Sequence, residues 1–176
     1  MNRLTTLWAR PEIRFLVLFL VFLGVSFTVV ALQPVNDSVV VPYTTIVARM
    51  AAVVLGVLGE DISVRGCELV SPRFSVTIYN GCNGLVTSLV FVAGVLAFPA
   101  RWRARGIGVA VGLVLIQVIN LVRIVSLFYI GVFLPHLFNE AHVFVWQSAV
   151  ILSGVALWIY WAHRFGAPAR RQAESR

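Results

Sequence analysis

The chain has 176 residues, of which 60% are hydrophobic and only 12% are charged, and its formal net charge is +7. Soluble proteins average about 45–50% apolar and about 25% charged residues, so this composition excludes an ordinary soluble globule and predicts a chain solvated mostly by membrane lipid. Two Cys exclude a disulfide-rich secreted fold, and we expect the basic excess, which is all Arg, to report membrane orientation rather than a nucleic-acid partner.

The first apolar run, residues 15–32, contains no charged residue and is long enough to cross a bilayer as a helix. It would span about 27 Å, against a hydrocarbon thickness of about 30 Å. A cleaved signal peptide is the alternative, but its apolar region usually has only about 7–15 residues, and this run lacks a clear small-x-small cleavage site at its end. We predict a retained first span after a cytoplasmic N-terminus, residues 1–14.

Residues 33–81 are predicted to form a single segment outside the membrane. The stretch 43–58 is shorter and contains Arg49, which favours an amphipathic interfacial helix over a span. Residues 62–79 alternate apolar and polar side chains on both sides of a Ser71-Pro72 turn signal, a pattern typical of a small external β-hairpin.

Three further apolar runs predict the remaining spans, at residues 83–98, 107–133 and 143–161. Pro99 ends the first of these, and the second is long enough to tilt or to protrude from the bilayer. Residues 162–176 form a basic tail. The predicted fold is therefore an all-α integral membrane protein with about four transmembrane helices, one interfacial helix and a small external β-hairpin.

The distribution of charge supports four spans. Ten Arg and only two acidic residues lie in the N-terminus, the loop after the second span and the C-terminal tail, whereas the other loops hold three Arg and five acidic residues. The positive-inside rule then places both termini in the cytoplasm. A fifth span at 43–58 would move the basic loop 101–105 to the outside.

One Arg lies neither in the predicted cytoplasmic segments nor in the predicted external loops. Arg123 lies inside the third predicted span, where a central Arg costs about 2.5–3.5 kcal/mol and usually faces a partner or a cavity. Gln117, Asn120 and Arg123 are spaced by three residues, so they form one polar stripe on that helix. A structural Arg that is neutralised by backbone carbonyls is the alternative interpretation.

Two more candidate residues are predicted near the external ends of their helices. Cys82 lies between Gly81 and Gly84 at the start of the second span, where a helix N-terminus favours the thiolate and its nucleophilicity. His142 precedes the fourth span. In the four-span topology Cys82, Arg123 and His142 converge toward one external face.

This trio is sufficient for acyl transfer: Cys82 would attack a carbonyl, His142 would move protons and Arg123 would stabilise developing negative charge. Asn83 is a candidate oxyanion donor, and Asn120 and Asn139 are candidates for orienting the imidazole. We expect no cofactor and no metal, because the three His and two Cys lack ligand spacing.

The motif Asn80-Gly-Cys-Asn-Gly-Leu, the later Asn120-Leu-Val-Arg-Ile-Val-Ser-Leu and His142 before the final helix together resemble the exosortase/archaeosortase family. The resemblance is clearest from Tyr79 to about Trp161, and Pro99-Ala-Arg-Trp and His142-Val-Phe-Val-Trp-Gln are most similar to the compact exosortase H subgroup. It implies a membrane cysteine transpeptidase or protease with Cys82, Arg123 and His142 as catalytic residues. Its partners would be exported proteins with a C-terminal sorting signal of the PEP-CTERM kind, in that subgroup of the IPTLxxWG type.

Two other function classes stay open at the level of sequence. A thiol–disulfide membrane protein would use Cys67 and Cys82, which an oxidising periplasm could join, although the chain has no Cys-x-x-Cys pair. A non-enzymatic membrane helper or channel would use Arg123 as a structural or ion-path charge.

Overall fold

The computed structural model describes residues 10–165, and most of them are helical. Its five helices are α1 (Pro11–Ala31), α2 (Gln33–Val57), α3 (Leu85–Ala97), α4 (Trp102–Phe133) and α5 (Pro135–Phe165). A small sheet of three strands, β1 (Ser63–Arg65), β2 (Glu68–Val70) and β3 (Val76–Thr77), lies between α2 and α3. The predicted fold class, an all-α membrane protein with a small β element, is confirmed.

One end of the bundle is here called the arginine end. It carries Arg14 near the start of α1, Arg101, Arg103 and Arg105 at the start of α4, and Arg164 near the end of α5. Phe15, near the start of α1, packs against Trp158 of α5 and against Phe98 after α3, with ring centroids 5.6 and 6.0 Å apart. The indole Nε1 of Trp161 donates a hydrogen bond of 3.1 Å to the Ala104 carbonyl in α4. The start of α1, the α3–α4 loop and the end of α5 are therefore neighbours, so α1, α3, α4 and α5 alternate in direction. The more terminal Arg of the predicted basic segments lie outside the described residues.

The three strands lie at the opposite end, here called the sheet end. The first predicted hairpin strand folds back on itself: Arg65 pairs with Glu68 around Gly66, whose positive φ of 61° favours glycine. The second predicted strand then adds β3, so the sheet order is β1-β2-β3 and every pairing is antiparallel. The alternating pattern predicted one hairpin, and the structure makes two because the Gly66 turn divides the first run.

Helix α2 is longer than the interfacial helix predicted at 43–58, and by length and composition it could cross a membrane. Its contacts run along the part of α4 nearest the sheet end: Tyr43 meets Gln117, and Ala48 belongs to one apolar cluster with Phe128. Helix α3, at the position of the predicted second span, has only 13 residues. The set of crossing helices therefore stays a prediction, and the packing of α2 at the sheet end favours the interfacial assignment.

Two apolar clusters lie within residues 10–165. The first joins α2, the sheet and the outer part of α4, with Leu55, Leu69 and Phe128 fully buried. The second joins α3, α4 and α5 near the arginine end, around Phe91 and Trp161. Helix α4 contributes to both clusters, and the polar stripe predicted on it lies between them.

Candidate active site

Cys82 and His142 are in direct contact at the sheet end. The Cys82 Sγ atom lies 2.9 Å from His142 Nε2, although 60 residues separate them in sequence. A tight turn holds the thiol in place, because the Cys82 N–H donates a 2.8 Å hydrogen bond to the Tyr79 carbonyl. The predicted pairing of these two side chains is therefore present in the structure as a thiol–imidazole contact.

Arg123 reaches the same sulfur from α4. Its Nη2 atom lies 3.7 Å from Cys82 Sγ and donates a 3.3 Å hydrogen bond to the Gln147 side-chain oxygen. Arg123 is only 2% exposed, and among the described residues its buried Nε–H has no partner. The guanidinium thus places a positive charge beside the sulfur, and its Nε–H is a buried hydrogen-bond donor without a partner among the described residues.

Gln147 is a site residue that the sequence analysis missed. It follows His142 by five residues, a separation that puts two side chains on different faces of an α-helix. Residues Ala141–Trp146, however, form a π-helical turn, whose wider i→i+5 repeat brings His142 and Gln147 onto one face. The helical period assumed in reading the sequence could not find this pairing, although π-turns occur often at functional sites.

The three Asn side chains occupy different environments. Asn83 is fully buried, and its side chain bonds Thr44 and the Leu85 N–H, so it holds the start of α3 against α2. Asn120 is also fully buried, and neither of its side-chain polar atoms has a partner among the described residues. Asn139 is exposed and does not line the cleft that contains Cys82. The structure therefore brings none of the three into hydrogen-bond contact with His142.

A second polar network supports the turn that carries Cys82. The Gln117 amide donates to the Tyr43 hydroxyl, which in turn donates a 3.3 Å hydrogen bond to the Asn83 carbonyl. Gly84 sits directly on this network with a φ of +79°, and a Cβ built there would lie 2.5 Å from Gln117 Oε1 and 3.2 Å from Asn120 Cγ. The predicted polar stripe of α4 is thus the surface on which the Cys82 turn rests.

Burial raises the pKa of the Cys82 thiol above its ordinary value, while the Arg123 guanidinium and a hydrogen bond with the Tyr79 backbone partly lower it. The resting side chain therefore keeps its proton near neutral pH and needs a base to become a nucleophile. His142 Nε2 is in position to accept that proton, provided that Nδ1 carries the proton of the neutral ring. Phe138 stacks on the imidazole with ring centroids 6.1 Å apart, which fixes the plane of the ring.

The three side chains open onto a cleft of about 280 Å³. Residues 74–79, Ile124 and Leu127 of α4, and Phe138 and His142 of α5 line this cleft. A larger apolar groove of about 510 Å³ lies between α1, α3 and α5, but neither a thiol nor an imidazole lines it. The smaller cleft is therefore the candidate reaction site.

A metal site has little support in this arrangement. Within residues 10–165 no group of three His, Cys, Asp or Glu side chains is placed to hold a metal ion. The cleft instead combines a thiol, a base in contact with it and a buried cation. These are the functional groups used for nucleophilic attack on a carbonyl. Cys67 lies apart from this group, where its sulfur contacts Thr45 and the Val41 carbonyl, and both cysteines are free thiols.

Comparison with known proteins gives one match. The family model described as transmembrane exosortase (Exosortase_EpsH) matches residues 4–162, which includes the N-terminal part where the resemblance of individual motifs was weakest. No curated protein and no solved structure matches the chain.

Proposed function

The chain belongs to the transmembrane exosortase family, and on that premise we propose that it is a membrane-embedded cysteine transpeptidase or protease. Its substrates would be exported proteins that carry a C-terminal sorting signal of the PEP-CTERM kind, such as the IPTLxxWG type. The observation that carries the proposal is the 2.9 Å contact between Cys82 Sγ and His142 Nε2, with Arg123 against the same sulfur.

The proposed reaction begins with transfer of the Cys82 proton to His142 Nε2. The sulfur then attacks a peptide carbonyl, and Arg123 stabilises the thiolate and the tetrahedral oxyanion. When the carbon–nitrogen bond breaks, His142 returns its proton to the leaving amine and a thioester to Cys82 remains. A water molecule or an acceptor nucleophile attacks the thioester and releases the thiol, which completes hydrolysis or transfer.

The proposed orientation follows from the basic segments. The arginine end would face the cytoplasm of the bacterial inner membrane and the sheet end would face the periplasm, in agreement with the positive-inside rule. Both termini are then cytoplasmic, and the cleft meets substrates after their export.

The test is processing of an exported reporter that ends in a sorting motif, an apolar helix and a basic tail. We expect Cys82→Ala to abolish processing without lowering the amount of protein in the membrane, and His142→Ala to reduce it by at least about 10²-fold, because general acid–base catalysis typically contributes that much. Mature reporter and membrane protein would be quantified on the same immunoblots.

Cys67→Ser is the matched control, because it removes the other thiol without touching the cleft. Normal processing by this variant is expected, whereas a thiol–disulfide mechanism requires complete loss. Continued maturation of the reporter by Cys82→Ala would show that the nucleophile is wrongly assigned.

A further inference from the structure

Strand β3 is an edge strand of the sheet, and among the described residues no strand pairs with its other side. The Ile78 N–H donates a 2.9 Å hydrogen bond to the Cys67 carbonyl, and Val76 is the register partner of Leu69. In an antiparallel ladder, successive residues direct their N–H and C=O groups to opposite sides. Val76 and Ile78 therefore face β2, while Ser75 and Thr77 direct theirs away from the sheet.

That free edge opens into the cleft of the candidate active site. Residues 74–79 line the cleft without interruption, together with Phe138 and His142. The same segment continues through Tyr79 directly into the Cys82 turn. The free edge of β3 therefore belongs to the segment that borders the cleft and leads to the sulfur atom.

Side chains just before β3 hold this segment in place. Phe74 packs against Phe128 and Phe138, with ring centroids 6.3 and 5.4 Å apart, and fills the space above Gly131 where a Cβ would clash with its ring. Arg73 forms a 2.7 Å ion pair with Glu60. Natural edge strands are usually covered or blunted, since an open edge is a template for another strand. Here the segment before β3 is fixed in position, and the strand with its free edge lines the cleft that contains Cys82.

We propose that the substrate polypeptide binds as an added strand on β3. An extended segment next to the scissile bond pairs with the backbone of Ser75 and Thr77, and this pairing carries its carbonyl group to Cys82 Sγ. The inference rests on the proposed function and adds the mode of recognition. In strand addition, main-chain hydrogen bonds provide the affinity, and pockets for alternate side chains of the bound peptide provide the specificity.

The experiment compares two reagents that alkylate Cys82 in the full-length protein, reconstituted in phosphatidylcholine vesicles with Cys67→Ser as background. Iodoacetamide is small and needs only a reactive thiol, whereas acetyl-Ala-Ala-Ala-chloromethyl ketone carries a peptide backbone. The Cys82 thiolate attacks its methylene carbon and chloride ion leaves. We expect Thr77→Pro to slow the tripeptide reagent about five- to tenfold, the effect of losing the one backbone hydrogen bond that the Thr77 N–H donates. Iodoacetamide labelling should stay within about twofold of the background, since the Thr77 N–H has no role inside the sheet.

Thr77→Val is the matched control, because it removes the hydroxyl and keeps the N–H. It should react with the tripeptide reagent at the background rate. A second measurement needs no substitution: the tripeptide is N-methylated at one of its three amide nitrogens at a time. Strand pairing predicts that methylation slows the reaction at alternate positions only, since every second residue faces β3.

Each remaining outcome decides against a different claim. An equal tripeptide rate in Thr77→Pro and Thr77→Val, or a methylation effect without alternation, would overturn strand addition and leave the proposed function intact. Failure of Cys82 to react with either reagent would instead overturn the proposed function, and strand addition with it.

Discussion

At the scale of single residues, the Arg123 guanidinium connects the other site residues. It touches the Cys82 sulfur, it is held by Gln147, and no carboxylate contacts it among the described residues. A neutral partner leaves its full positive charge available to the sulfur. Cys82, Arg123 and His142 could be predicted from the sequence because each is a reactive or charged residue inside or beside an apolar run. Gln147 and Tyr43 gave no comparable signal, because an amide or a phenol in an apolar helix is common.

Replacement of Arg123 by Gln should make the Cys82 thiol less reactive near neutral pH. The guanidinium lowers the pKa of this thiol against the larger effect of burial, so its removal raises the pKa further. Only the thiolate is alkylated, so a rise of one pKa unit slows iodoacetamide labelling about tenfold at pH values below the pKa. The whole rate–pH profile should shift to higher pH, and the two proteins should converge once both thiols are ionised.

Two variants test that explanation. Arg123→Lys keeps the charge, so its labelling profile should stay close to that of the unmodified protein, while reporter processing falls because Lys lacks the planar fork. Arg49→Gln removes an exposed charge on α2 and should change neither quantity. An unshifted profile in Arg123→Gln would mean that Arg123 does not act on the thiol electrostatically.

At the scale of elements, the starts of helices α3 and α5 place the reactive groups. Apolar length and the basic loops predicted where helices occur, and alternation predicted strands in the right segment. The sequence did not reveal the early start of α2, because residues 33–42 contain polar and Pro positions that usually interrupt an apolar helix. Nor did it reveal the π-turn Ala141–Trp146, since that turn depends on packing rather than on a local residue preference.

Gly84→Ala should destabilise the protein and remove its activity. The N-cap of α3 has a φ of +79°, which costs an L-residue roughly 1–2 kcal/mol, and the added methyl group would press on Gln117 and Asn120 below it. Thermal unfolding of the detergent-solubilised protein should therefore shift to lower temperature. Gly56→Ala is the control, because that glycine lies in α2 with open space around it and Ala is the better helix former. A melting temperature unchanged by Gly84→Ala would contradict this account of the turn.

At the scale of the whole molecule, the chain consists of an apolar bundle that carries a small cap at one end. The predicted alternation of α1, α3, α4 and α5 agrees with the contacts at the arginine end, where Phe15, Phe98 and Trp158 meet. The cap is built from α2, the sheet and the outer part of α4, and it has its own apolar cluster. Helix length alone could not separate these two parts, because α2 is as apolar as a crossing helix.

Single-cysteine labelling should place the two ends on opposite sides of the membrane. In a background with Cys67→Ser and Cys82→Ser, Asp61→Cys lies at the sheet end and Arg103→Cys at the arginine end, and both native residues are exposed. A membrane-impermeant maleimide should label Asp61→Cys in intact spheroplasts and Arg103→Cys only after permeabilisation. Labelling of both positions in intact spheroplasts would refute the proposed orientation.

The length of α4 makes the position of the cleft relative to the membrane surface depend on bilayer thickness. From Trp102 to Arg123 the helix rises about 31 Å, close to the roughly 30 Å of a typical hydrocarbon core, and the remaining residues up to Phe133 continue into the cap. With α4 upright, a thicker bilayer would draw acyl chains over the cleft, and a thinner one would pull headgroups below Arg123. Hydrophobic mismatch costs only a fraction of a kcal/mol per Å. Here, however, the boundary of the bilayer that would be mismatched lies at the depth of the Cys82 sulfur. On the proposed function, the lipid composition of the membrane should therefore affect the rate at which the protein processes its substrate.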